Sequence, residues 1–329
     1  EMLRSLVGSE MCIRDRWFMK ISQKNLLIVC FLFLLLVCIL CNSKKTAEFA
    51  YIGLNTWYLN MIPSLFPFMV LLNLLISTGF SYWFMKPFSV FLKPFRNTED
   101  ACFVLFFGFL CGFPLGAKCV VDLYRRGRLS EANSEYLLSF TNNIGPAYFC
   151  GFVLGQIYLT PSLGKSLFVM YGLPLLYGLF LRHTRYRRIL DRELMTRRSE
   201  PPVIKPVLQC LPDAISSALT QITVLGGYMI VFNALRILPE LLFTKNPYLY
   251  LAGQSILEIS GGLLCIKTFV KSTVLTIVLA HTCLAFGGLS CFFQTTALFQ
   301  NTPFSGKKYM LHKLLLCSIS MIVSYVLFR

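Results

Sequence analysis

The chain has 329 residues, 56% of them hydrophobic and only 14% charged, with a mean hydropathy of +0.64. Soluble domains hold about 25% charged residues, so a soluble domain is excluded and an all-α polytopic membrane protein is indicated; the apolar runs do not alternate, which excludes a porin-like barrel. A net charge of +16 would suggest nucleic acid in a soluble protein, but here it belongs to cytoplasmic loops, and the expected partners are the lipid bilayer and a small solute, with no nucleic acid.

Residues 1–18, EMLRSLVGSEMCIRDRWF, share no periodicity with the rest of the chain and resemble a translated sequencing adapter. They are set aside as a non-native leader. Met19 opens MKISQKNLLIVCFLFLLLVCILC, a first span at 25–42 within an N-terminal segment of 19–45. No clear small-x-small cleavage site comes after it, so it reads as an uncleaved anchor helix. Thirteen cysteines lie scattered through apolar runs. Cys38 and Cys41 have CxxC spacing but no His or charged neighbour, so packing is expected, with no metal site or disulfide framework. In residues 47–79 an amphipathic lead-in precedes an apolar run broken by PSLFPF. Pro63 and Pro67 each remove a helical donor and predict a break or kink. Residues 80–98, aromatic and carrying Lys86, Lys93 and Arg96, read as interfacial.

CFVLFFGFLCGFPLGAK (102–118) is apolar until Gly112, Pro114 and Gly116, and ends on Lys118. Residues 119–135 turn basic and then acidic, with a helix start at Ser130. LSFTNNIGPAYFCG (138–151) comes next, then a span at 163–181. Residues 182–206 hold eight Lys/Arg against three acids and read as a cytoplasmic linker. Beyond it lie a lead-in (207–221), an apolar segment (222–243), EISGGLLCIK (258–267), TVLTIVLAHTCLAFGGLSCFFQ (273–294) and a last span at about 311–328.

The two halves echo each other. FMVLLNLL (68–75) matches YMIVFNAL (228–235), each after an amphipathic lead-in. A glycine-rich break ending in lysine comes next, CGFPLGAK and then SGGLLCIK, followed by a second glycine break, NNIGPAYF and then FGGLSCFFQ. Matched breaks in duplicated halves, 46–181 and 207–329, predict two inverted repeats with broken or re-entrant helices, the signature of a secondary transporter. Irregular backbone survives at membrane depth only inside protein or beside a water-filled cavity. A half-helix N-terminus there carries about half a positive charge and suits an anion.

Gly145 and Pro146 would break a hairpin, with Asn142 and Asn143 lining the break and Ser139 and Thr141 adding hydroxyls. The competing reading is a loop with TNN as a helix cap. Gly112, Pro114 and Gly116 would form the partner break. Lys118 beyond it either pairs with an anion or snorkels to the interface. In the second half Gly287, Gly288, Ser290 and Gln294 form either a matching break or a close helix packing of small residues. Glu258 is either an intramembrane functional carboxylate or a helix cap. His281 reads as a core histidine rather than a proton carrier, and His183 and His312 sit near loops. The sequence has no HExxH, P-loop or GxSxG motif, so no catalytic residue, cofactor or enzyme activity is expected.

At GFPLGAK, LSFTNNIGP and FGGLS with its following Gln294, the sequence resembles the YlbJ (SpoVV) family of sporulation integral membrane proteins, within the nucleoside-recognition or Gate superfamily. The resemblance covers residues 46–329, so 46–181 and 207–329 would be Gate-like repeats. The superfamily is itself similar to concentrative nucleoside transporters and the membrane part of ferrous iron transporters. The resemblance implies a role in endospore formation and movement of dipicolinic acid across the outer forespore membrane. Dipicolinate, a small aromatic dianion, suits half-helix ends, amides and a lysine. A nucleoside or other neutral-solute carrier, and a non-transporting assembly protein, are the alternatives.

Overall fold

Apolar chain in hydrocarbon must satisfy its backbone within its own segment, which selects helices. The computed structural model describes residues 23–90, 93–157, 162–196 and 202–329, and the described regular structure is helical. Among these residues five helices are long and apolar enough to cross a membrane: Ser43–Thr78, Leu163–His183, Val207–Leu242, Thr273–Ala297 and Gly306–Phe328. The protein is an integral membrane protein. Residues 1–18, read as a leader, lie outside the described residues.

The chain forms two units, Glu1–Ala47 and Glu48–Arg329. The first contains the apolar helix α1 (Gln23–Cys41) and the start of α2 (Ser43–Thr78). The second holds the rest. Its longer helices are α3 (Glu99–Cys111), α4 (Leu115–Arg125), α5 (Glu131–Leu138), α6 (Pro146–Gly155), α7 (Leu163–His183), α8 (Arg187–Thr196), α9 (Val207–Ala234), α10 (Pro247–Leu257), α11 (Ile259–Phe269), α12 (Thr273–Phe286), α13 (Gly288–Ala297) and α14 (Gly306–Phe328). Ser130 starts α5 as read from the sequence, its Oγ accepting from Asn133 N at 3.1 Å.

The order of elements repeats. A long helix (α2, α9) is followed by a helix pair split at a break (α3/α4, α10/α11), a second split pair (α5/α6, α12/α13) and a closing span (α7, α14). Helices α2 and α9 pack antiparallel: Trp57 Nε1 donates to Ile222 O at 2.8 Å, and Asn73 Nδ2 to Ala214 O at 3.1 Å. At the other end a Cβ on Gly53 would lie 3.0 Å from Asn233 Nδ2. Asn73 and Asn233 are equivalent in the echoed motif, and Gly53 precedes Asn73 by the spacing at which Asp213 precedes Asn233. Each asparagine therefore meets the start of the opposite helix, a reciprocal pattern of the isologous kind.

Two expectations are corrected and one is made specific. Of the break or kink expected near Pro63 and Pro67, α2 shows no break. The helix widens into π turns at Thr56–Met61, just before the prolines, and continues as Ile62–Thr78. A wide turn absorbs the missing donor and the ring clash that a regular turn cannot. The second-half break falls at Glu258, extended at φ −150°, and not at the glycine pair. Gly261 and Gly262 lie inside the helix and are glycine because their neighbours leave no room: a Cβ would lie 2.2 Å from the Arg236 guanidinium and 2.5 Å from Ser255 Cα, respectively. The basic segment 182–206 begins as folded structure. Arg182 is buried and donates to the carbonyls of Phe95 (2.8 Å) and Arg96 (2.9 Å) and to Asp191 of α8, while Ser130 Oγ donates to Glu193 at 2.6 Å. Multidentate guanidinium bonding of this kind offsets the burial of a charge.

Candidate functional site

The two breaks of each half touch. Gly112 holds φ +79° and lies against Gly145, so closely that a Cβ would stand 2.2 Å from Gly145 N. Only glycine fits, because it is both left-handed and flush against backbone. In the second half Gly287 (φ +87°) and Gly288 (φ +69°) turn the chain beside Glu258; a Cβ on Gly288 would lie 3.3 Å from Leu257 O. The halves then meet through Phe113, whose ring a Cβ on Gly287 would approach to 2.9 Å.

A cavity of about 610 Å³ opens at this crossing. The first turns of α6 (Ala147, Tyr148), α11 (Ile259, Ser260) and α13 (Ser290, Cys291) line it, and Phe113 brings the start of α4 to its wall. These first turns bring positive helix ends to the wall. Glu258 and Gln294 face in from the second half, and Asn60 and Ser64 from the π-turn region of α2. Tyr148 OH and Ser260 Oγ are hydrogen-bonded across the halves at 3.0 Å. Of the residues expected from sequence, Gly145, Glu258, Ser290 and Gln294 line the cavity. Glu258 also caps α11, its Oε2 accepting from Gly261 N at 2.9 Å, which is the helix-cap reading.

The other expected residues lie behind the wall. Asn142 is fully buried. Its amide nitrogen donates to Thr295 Oγ1 (3.0 Å) and Tyr309 OH (2.8 Å), and its oxygen accepts from Ala117 N (3.3 Å). Asn143 donates to Phe140 O at 2.6 Å and accepts from Lys313 Nζ at 3.3 Å. Ser139 and Thr141 bond back to the carbonyls of Tyr136 and Leu137. Gly116 packs on the Thr141 carbonyl, and Gly112, Pro114, Gly287 and Gly288 shape the turns. Lys118, also buried, donates to Asn73 Oδ1 at 2.7 Å and pairs with Asp122. His281, buried, is hydrogen-bonded to Ser324 Oγ at 2.9 Å. His312, also buried, is hydrogen-bonded through Nδ1 to Tyr177 OH at 2.6 Å, tying α14 to α7.

Sequence reasoning missed Lys313, which is buried in α14. Its ammonium donates to Asn142 O and sits 4.4 Å from the Phe113 ring centre. A lysine inside an otherwise apolar span was the available signal. Tyr148, Asn60 and Ser64 were missed as well; the first could have been found in the turn after Pro146, whereas nothing in the sequence marks the π turn.

In this arrangement broken helix pairs cross around a cavity. Residues 58–165 match the Gate family model, described as nucleoside recognition. The chain is also 30% identical, over 234 residues, to the sporulation integral membrane protein YlbJ of Bacillus subtilis (strain 168). That alignment takes in 65% of this chain and 57% of the relative, so it spans little more than half of the relative's length. No solved structure matches.

Proposed function

We propose that the protein is a sporulation membrane carrier whose cargo is a small organic anion, dipicolinate, moved across the outer forespore membrane. The carrying observation is the cavity where the breaks of both halves meet, walled by half-helix N-termini. Its size falls within the roughly 300–1,000 Å³ of small-molecule sites. Helix ends favour an anion by about 0.3–1 kcal/mol each, and Phe113, Tyr148 and Phe152 in the lining offer ring faces to a flat aromatic. Ser290, Gln294 and Gly145 would contact cargo, while Asn142, Asn143 and Lys118 hold the breaks in place. The reciprocal contacts of antiparallel α2 and α9 support two inverted repeats, since a two-fold axis relating antiparallel spans lies in the membrane plane. Similarity to YlbJ supports the sporulation setting.

A nucleoside cargo is the second reading. Glu258 favours it, because a carboxylate in the lining accepts hydrogen bonds from neutral hydroxyls. The test is thermal stability of the detergent-purified protein with dipicolinate or nucleosides. A ligand at about 100 times its Kd adds about 2.7 kcal/mol. A saturable shift with dipicolinate, reduced in Ser290→Ala/Gln294→Ala, is expected. A shift with nucleosides alone would replace the anion reading, and saturable binding of neither would return the protein to the assembly class.

A further inference from the structure

The described cavity lining contains one charged side chain, and it is negative: Glu258. That is the wrong sign for an anionic cargo, and the surroundings do not correct it. Glu258 is 4% exposed, and among the described residues no lysine, arginine or histidine lies within ion-pair distance. One carboxylate oxygen caps Gly261 N, and among the described residues the other has no hydrogen-bond partner. Ionisable groups that feel its charge are Tyr148 of α6 and Cys291 of α13, both half-buried in the cavity wall, and Cys283 of α12, which is buried. None of them carries a positive charge. Lys313 of α14 acts on Cys291 from the other side, but its ammonium is committed to Asn142 O and Asn143 Oδ1. Arg236, against Gly261, spends its guanidinium on Gln254 and Asn233. Cys265, Glu240 and Tyr250 face that arginine's corner.

A second negative charge entering the same cavity is repelled by the carboxylate of Glu258. A proton relieves that repulsion. It also turns the open oxygen into an O–H donor aimed at the cargo's carboxylate, a charge-assisted hydrogen bond. We propose that Glu258 is the proton-coupling group of this protein: it takes one proton from solvent when the organic anion enters the cavity and releases it when the anion leaves. This rests on the carrier reading above. No covalent bond changes; the proton and the anion occupy the site together. By linkage each then raises the other's affinity by the same factor.

The test is equilibrium binding of dipicolinate to the purified full chain from about pH 6 to about pH 8, with calorimetry in buffers of different ionisation enthalpy to count protons. Wild type should take up about one proton per anion at the alkaline end, where affinity falls about tenfold per pH unit. Glu258→Gln keeps an acceptor for Gly261 N, so it should fold, bind at every pH and show neither the slope nor the proton uptake. Glu258→Asp should restore the slope. A wild-type slope retained in Glu258→Gln, or saturable wild-type binding with no proton uptake, would overturn the assignment and leave the anion reading intact. Sodium-dependent wild-type binding that Glu258→Gln abolishes would replace the proton with a metal cation. Nucleoside binding that needs Glu258 and ignores pH would make the side chain a cargo ligand. Absence of dipicolinate binding to wild type at every pH would remove the anion reading itself, and the coupling with it.

Discussion

Asn142→Ala is expected to destabilise the fold rather than to remove a cargo contact. The side chain satisfies three groups at once: Thr295 Oγ1, Tyr309 OH and the Ala117 amide. Each such bond in a membrane protein contributes about 0.6 kcal/mol on average, with about 1.7 kcal/mol as an upper value. Truncation also strands the partners, and a buried group left unsatisfied costs about 1–3 kcal/mol. Tyr309 and Thr295 are buried and cannot turn to solvent. Roughly 2–4 kcal/mol is therefore expected, against about 1 kcal/mol if only one bond matters. Reversible denaturant unfolding in detergent micelles measures it, with Asn142→Asp as a companion that keeps the shape and adds a charge. A loss below about 0.5 kcal/mol, comparable with an ordinary surface substitution, would refute the bracing role.

Gly112→Ala should lose far more than the roughly 1–2 kcal/mol of a left-handed alanine, because its Cβ would stand 2.2 Å from Gly145 N. Gly155→Ala, with nothing within 4 Å, should leave size-exclusion profile and melting temperature unchanged, and equal behaviour of the two would discredit the break. A double-mutant cycle of Lys313→Met with Phe113→Leu should give a coupling of about 2 kcal/mol, the value for a desolvated cation–π pair; additive effects would show that the ring is only adjacent. Asp191 lies outside the spans, and its hydrogen bond to Arg182, together with that cation's charge, holds its carboxyl below the usual carboxylate range. A depressed folded-state value stabilises above the ordinary carboxylate range and is lost as pH falls through the folded-state value. Melting temperature of the wild type should thus drop on acidification more than that of Asp191→Asn, and parallel curves would count against the lock.

What could be read from the sequence was whatever a short stretch must do by itself. Gly112 and Pro114, Gly145 and Pro146, and Gly287 and Gly288 mark real turns because glycine and proline act on their own backbone. Gly261 and Gly262 misled because glycine has a second use, letting Arg236 and Ser255 come close; one sequence does not separate the two uses. The roles of Asn142 and Asn143 were hidden for a different reason. Their partners Thr295, Tyr309 and Lys313 lie more than 150 residues further on, and only the crossing of the halves brings them together. Polar residues in mid-span had to be satisfied by something; whether by cargo or by protein was the part that local pattern could not decide.

That division has a consequence for transport on the proposed reading. The strong polar groups near the breaks, two asparagines and the ammonium of Lys313, are spent on the protein's own backbone and hydroxyls. What faces the cavity is weaker: helix ends, Ser290, Gln294 and a carboxylate. A fixed cation in the wall would hold a dianion tightly in every conformation, and a ligand bound equally well by both states shifts neither of them. A wall of modest donors binds and releases. The discriminating term then has to come from something that changes between loading and unloading, and Glu258, buried and without an ion-pair partner among the described residues, is the group proposed above to supply it.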